Sequence, residues 1–151
     1  MRSTGPRSPT PPRHRRLRSS DRSPAAWRGA GGAWVYDPGV AVGIDLLEIE
    51  RMEAALERRP GLAQRLFTDG ERAYAQRRAR PGQHLAARFC AKEAVAKALR
   101  LEAWSPRDIE VVGEGAQTRI ALHGPLAALG VQVDVSLTHS KATAGAVALV
   151  R

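Results

Sequence analysis

The stretch 88–99, Arg-Phe-Cys-Ala-Lys-Glu-Ala-Val-Ala-Lys-Ala-Leu, sets Lys92, Glu93 and Lys97 in the middle of an Ala-rich run with strong helix propensity. At about 100° per residue, Leu85, Phe89, Ala96 and Leu99 gather on one core-facing stripe with Lys92 inside it. Glu93 and Lys97 lie on its flank, one turn apart. Ala86, Cys90 and Ala94 near that flank are small, so a ligand or a second backbone can come close to this helix. Glu93 and Lys97 admit two roles. As an i,i+4 pair in the favoured order they give plain helix support of about 0.2–0.5 kcal/mol on a solvated face; a carboxylate beside two ammoniums also suits a metal-bound phosphate. Lys92 either snorkels past its apolar neighbours or reaches an anion.

With 151 residues, 43% of them hydrophobic, the chain has enough apolar surface for one core and too little for two. A single cysteine, Cys90, excludes an intramolecular disulfide, and no apolar run reaches the roughly 18 residues of a membrane span. A soluble, cytoplasmic protein is expected, with Cys90 a small packing residue rather than a nucleophile. The net charge of +9 divides unevenly. Residues 1–38 hold eight arginines against two aspartates, leaving +6, and residues 39–151 hold only +3. The first segment is rich in Arg, Pro, Ser and Gly and has almost no aliphatic periodicity, so it is expected to be a disordered extension ahead of one domain at 39–151. An organellar transit peptide and translated upstream sequence are the other accounts of it. An Arg-rich arm also raises the alternative of a small basic nucleic-acid-binding protein. The remainder argues against that, since it has no basic stripe interleaved with aromatics; Trp104 stands apart, and Trp27 and Trp34 are in the extension.

Along 39–151 the pattern predicts a short buried strand at 40–44, a helix at 48–58 broken by Pro60-Gly61, and a short helical piece at 62–67. Thr68 with Glu71 three residues on is a capping box opening a helix to about Arg78, ended by Arg80-Pro81-Gly82. The long helix follows at 84–100. Strands at 109–113 and 119–122 flank a hairpin turn at Gly113-Glu-Gly115; 124–129 is helical, and strands at 131–137 and 144–150 close the chain. This order is α+β: a single small domain with a sheet packed on one long helix and shorter helices.

Asp45 follows an apolar strand preceded by Gly43, where a ligand can approach the backbone; as an Asp before Leu46–Arg51 it is equally a helix N-cap. Beside Glu93 it would complete the two carboxylates with which Mg²⁺ is commonly held, the rest of its shell being phosphate oxygens and water. His14, His84, His123 and His139 are scattered and lack the paired spacing of structural zinc. His139 lies in Leu-Thr-His-Ser at a turn or sheet rim. It is a surface or internally satisfied residue, or one of several donors for an anion with Thr138, Ser140 and Lys141. Arg51, Arg58, Arg59 and Arg65 form either a solvated face or a surface for an acidic partner.

Three segments taken together, Val-Ala-Val-Gly-Ile-Asp-Leu-Leu-Glu-Ile-Glu-Arg at 40–51, the helix at 88–99, and Val-Ser-Leu-Thr-His-Ser-Lys-Ala-Thr-Ala-Gly-Ala-Val-Ala-Leu-Val at 135–150, resemble the holo-acyl-carrier-protein synthase family. These are the small 4′-phosphopantetheinyl transferases. Supporting matches lie at Arg65-Leu66-Phe67-Thr68 through Glu71 and at Trp104–Val111. The resemblance implies transfer of the 4′-phosphopantetheine arm of coenzyme A to a serine of an acyl carrier protein, with release of adenosine 3′,5′-bisphosphate, as in fatty acid biosynthesis and lipid metabolism. It implies Asp45 and Glu93 as Mg²⁺ ligands, Lys97 on the diphosphate, and Lys92, Lys97, Thr138 and His139 as coenzyme A contacts. Glu93 and Lys97 would be catalytic, Glu93 taking the serine proton directly or through a water. Arg51, Arg58, Arg59 and Arg65 would meet the carrier protein, with Met52 and Leu56 either joining them or facing the core. It implies a homotrimer whose coenzyme A cleft closes between subunits, with the strand at 142–150 near the shared axis. Two loops depart from the family pattern: Arg100-Leu101-Glu102-Ala103 stands where a Gly-rich turn is usual, and Gly115-Ala116-Gln117 where a Gly-x-Pro is. A catalytically inactive member is therefore the remaining alternative.

Overall fold

Strand β1 (Ala41–Glu48) opens a computed structural model that describes residues 40–151, so the expectations for 1–38 lie outside the described residues. Helices α1 (Ile49–Arg58), α2 (Leu62–Leu66), α3 (Asp69–Gln76) and α4 (Pro81–Ala98) follow, then strands β2 (Ile109–Val112), β3 (Arg119–Leu122), β4 (Val133–His139) and β5 (Thr143–Val150), with short 3₁₀ turns at Pro106–Asp108, Gly115–Gln117 and Gly124–Leu129. The architecture is α+β. One antiparallel sheet has the order β1-β5-β4, and β2 with β3 forms a separate hairpin.

The first sheet is asymmetric by composition. Its inner face carries Gly43 on β1 and Ala144, Ala146 and Ala148 on β5, each alanine at most 3% exposed, while β4 adds Val133, Val135 and Leu137. Small side chains let a helix lie close to the strands, and α4 fills that space. Its Ala86, Cys90, Ala91, Ala94, Val95 and Ala98 are all buried. A helix buried on most of its circumference is a central core helix rather than a one-sided surface helix, which corrects the single-stripe expectation: α3, β2 and α1 cover what the sheet leaves open. The second backbone anticipated beside Ala94 is β1 itself. A methyl group on Gly43 would sit 1.9 Å from the Ala94 carbonyl oxygen and 2.8 Å from the Ala98 nitrogen, both backbone atoms that cannot rotate away. Gly43→Ala is therefore expected to lower stability by about 1–3 kcal/mol, measured by urea unfolding, as forced overpacking does.

Local signals set most boundaries. The Thr68–Glu71 capping box forms in both directions, with Glu71 N–H donating to Thr68 Oγ1 at 3.3 Å and Thr68 N–H to Glu71 Oε2 at 2.9 Å. Two of the boundaries that differ from expectation bear on the site. Pro81 does not end α3, which stops at Gln76; it opens α4, where its fixed φ and missing N–H suit the first helical turn. β1 runs on to Glu48 instead of ending at Ile44, because it pairs with β5 along its whole length, Asp45 opposite Ala146 and Glu48 opposite Thr143. Asp45 is thus a mid-strand residue. The position before α1 belongs to Glu48, which makes no side-chain cap, and the N-cap role for Asp45 falls.

Candidate functional site

Pleating decides where Asp45 goes. On β1 it shares the inner face with Gly43 and Leu47, so its carboxylate meets the flank of α4 rather than solvent at a strand end. Lys97 Nζ donates to Asp45 Oδ1 at 2.7 Å and to the Ile44 carbonyl at 3.1 Å. Glu93, one turn before Lys97, is half-buried on the same flank. Cys90 lies beneath them, fully buried, its thiol donating weakly to the Ala144 carbonyl at 3.6 Å. The structure therefore brings Asp45, Glu93 and Lys97 together and adds Cys90, which the sequence had marked only as a packing residue.

Electrostatics define what this cluster does. Burial first, and then the Asp45 charge, raise the pKa of Glu93 above the usual carboxylate range, with Lys97 opposing. The hydrogen bond to Asp45 raises Lys97, whose charge is thereby secured. Burial and Asp45 push the Cys90 thiol up to about 12, so no thiolate is available at neutral pH. A raised glutamate pKa disfavours the native state once the group must ionise: the penalty is absent below the unfolded pKa and complete above the folded one. Glu93→Gln removes it. The variant is expected to exceed the parent in thermal midpoint at neutral pH, with the difference vanishing as pH falls below the ordinary glutamate range.

Two carboxylates held close enough to repel are a donor set that a hard dication relieves. Among the described residues no group of three or more His, Cys, Asp or Glu is placed to hold a metal ion, and the protonated Cys90 thiol beneath the pair is no ligand for a hard dication. Asp45 and Glu93 would then be the whole protein contribution, which fits Mg²⁺, an ion that keeps most of its shell as water and substrate oxygen.

Lys92 requires a correction. It is 0% exposed, and its ammonium is paired with Glu71 Oε2 at 2.8 Å while donating to the Pro106 and Ile109 carbonyls at 2.6 and 2.5 Å. No donor is left for coenzyme A. Glu71, also buried, accepts from Val111 N–H at 3.0 Å, and a surface branch joins Thr68, Glu110 and His123. Glu71 had been assigned only its capping role; a lysine inside an apolar stripe was the signal that a buried acid should be sought.

The anion donors at the end of β4 do not form one group. His139, itself exposed at the sheet rim, is on the α4 side of β4, where its ring nitrogens meet Gln83 Nε2 and its ring lies edge-on to His84 at 5.8 Å; Thr138, also exposed, is on the opposite face. Ser140 Oγ accepts from Ala142 and Thr143 N–H and is committed to its own turn. Gln83 and Lys97 are roughly 21 Å apart along α4 at 1.5 Å per residue, so His139 and Lys97 occupy opposite ends of that helix. Arg51, Arg58, Arg59 and Arg65 are all exposed, and Arg59 and Arg65 line a hollow of about 260 Å³ with Leu62 and Leu66. Met52 is buried and faces the core, and Leu56 packs against it. A larger hollow of about 600 Å³, bordered by Tyr74, Arg77, Arg78, Arg88 and Glu114, does not include Asp45, Glu93 or Lys97 in its lining.

The model of a family described as the 4′-phosphopantetheinyl transferase superfamily matches residues 41–147. A holo-[acyl-carrier-protein] synthase of Moorella thermoacetica is 49% identical over 116 residues, an alignment covering 72% of this chain and 91% of that protein. One from Streptomyces avermitilis is 45% identical, covering 72% and 94%. Among solved structures, the acyl carrier protein synthase of Mycobacterium tuberculosis is 38% identical with a TM-score of 0.61, over 75% of this chain and 98% of that one. An ACPS–CoA complex from Chronobacterium ammoniagenes is 30% identical with a TM-score of 0.64, over 75% and 97%.

Proposed function

The chain belongs to the 4′-phosphopantetheinyl transferase superfamily, and from that premise we infer that it is a holo-[acyl-carrier-protein] synthase, moving the phosphopantetheine arm of coenzyme A to a serine of an apo-acyl carrier protein. The observation that carries this reading is the meeting of Asp45, Glu93 and Lys97 between β1 and α4. Mg²⁺ held by Asp45 and Glu93 would supply Lewis-acid stabilisation to the phosphoryl oxygens.

Each side chain has a distinct task. Lys97 spends two of its three N–H donors on Asp45 and Ile44, so one remains for a phosphate oxygen, and its half-exposed ammonium keeps its charge as negative charge grows on the leaving oxygen. Asp45 aims that ammonium. Glu93 would take the serine hydroxyl proton through a water rather than directly, because a carboxylate that holds Mg²⁺ is itself a poor base. Cys90 stays protonated, so transfer proceeds without a cysteinyl intermediate.

Two observations support assembly into a homotrimer. His139 stands at the far end of α4 from Lys97, so a site using both draws them from different chains. The outer face of β1 also presents Val42, Ile44 and Leu46, each 58% exposed or more, with Val147 of β5 beside them. A trimer closing the coenzyme A cleft between subunits, with the strand at 142–150 near the shared axis, would cover that face. Arg51, Arg58, Arg59 and Arg65 would receive an acidic carrier protein by steering and charge pairing. No helix among the described residues is long and apolar enough to cross a membrane. Incubation with apo-acyl carrier protein, coenzyme A and Mg²⁺ should add one phosphopantetheine arm to the carrier by intact mass. No addition to any of several carriers would refute the enzyme, and light scattering that finds an active monomer would refute the trimer.

A further inference from the structure

The end of α4 has a backbone arrangement to which arginine is poorly suited. Arg100 has φ of 53° and is the only non-glycine with positive φ among the described residues. Two hydrogen bonds close the helix there, Arg100 N–H to the Lys97 carbonyl at 3.1 Å and Leu101 N–H to the Ala96 carbonyl at 3.0 Å. That pair requires the left-handed conformation at residue 100, where glycine is the residue without a Cβ penalty. The Arg100 side chain is exposed and makes no ion pair among the described residues. Such strain is held in place by the two helix-closing hydrogen bonds, and residues strained in this way cluster at active sites and ligand clamps.

Its position points to a ligand. The Arg100 amide is bonded to the Lys97 carbonyl, which fixes the backbone of residue 100 one turn past the residue whose ammonium is assigned to the diphosphate. Gly43 packs against Ala94 and Ala98, so the end of α4 lies toward the start of β1, whereas α1 with Arg51 and Arg58 begins beyond its other end. Asp45 is between the two. In-line phosphoryl transfer places the incoming hydroxyl and the departing nucleotide on opposite sides of the phosphorus, so a carrier protein on the α1 side leaves the Arg100 side to the nucleotide.

We propose that Arg100 is a substrate-binding residue that grips the phosphate-rich nucleotide portion of coenzyme A through its forked guanidinium, beside the point charge of Lys97. The assignment rests on the transferase reading above. Parent, Arg100→Gly and Arg100→Lys are compared by three measurements: thermal midpoint, KM for each substrate, and calorimetric binding of adenosine 3′,5′-bisphosphate. Arg100→Gly should melt about 3–6 °C higher through relief of strain. It should also raise the coenzyme A KM and the bisphosphate Kd about threefold to tenfold, with the KM for carrier protein unchanged. Arg100→Lys, which keeps the Cβ, should melt with the parent and fall between the two in coenzyme A KM and bisphosphate Kd. Attraction of the arginine to the helix dipole alone would alter stability and leave both KM values and the Kd untouched, which would overturn the proposal. A rise confined to the carrier KM would overturn it as well. A parent protein that modifies no carrier would instead refute the transferase reading, and the assignment with it.

Discussion

Asp45→Ala and Glu93→Ala are each expected to slow phosphopantetheine transfer by about 10²–10³-fold or more, with the double variant hardly slower than either. Non-additivity is the informative part. If the two carboxylates hold one Mg²⁺, removing either removes the site, and the second substitution has nothing left to abolish. Mn²⁺ binding in the presence of coenzyme A, followed by electron paramagnetic resonance, should be lost in all three variants. Stability should fall little. Asp45 makes no helix cap, and its pair with half-exposed Lys97 contributes no more than about 0–1 kcal/mol. Variants that keep metal affinity and show independent, multiplying losses would leave the two residues as separate structural groups.

Lys92→Ala should produce the largest loss of stability of any single substitution considered, about 3–5 kcal/mol by urea unfolding. Both charges of the Lys92–Glu71 pair are inaccessible to water, and four further hydrogen bonds depend on them. Truncating the lysine leaves a buried carboxylate without its counter-charge and orphans the Pro106 and Ile109 carbonyls. Glu71→Ala should be comparably harmful, since it strands an ammonium and two backbone N–H groups. The double variant should lose less than the sum, because neither charge is then left alone. With a total stability of about 5–15 kcal/mol typical of single domains, either single variant threatens folding at 37 °C. Losses below about 1 kcal/mol would show that water reaches the pair.

Much of this arrangement is written locally. The Thr68 capping box, the alternation that builds β4 and the small-residue run of β5 depend on neighbours within a few positions, and the sequence displays them. Asp45 does not behave that way. An aspartate before Leu-Leu-Glu-Ile satisfies every local rule for a helix cap, yet a strand about a hundred residues later extends β1 past it and turns its carboxylate inward. Lys92 failed for a related reason: its partner acid already had a complete local explanation in the capping box. The circumferential burial of α4 was hidden because alanine is compatible with exposed and buried positions alike. Thr138 and His139 were separable in principle, since extending the period-two pattern of β4 by two residues assigns them to opposite faces.

Cys90 is the chain's single thiol, it is inaccessible in the native state, and it sits where β5, α4 and Asp45 converge. Any alkylating reagent must wait for that junction to come apart. The rate at which the unmodified protein is labelled therefore serves as a clock for opening of the catalytic seam, with no engineered probe. Run with and without nucleotide, the same clock would read how firmly a bound ligand keeps the seam shut.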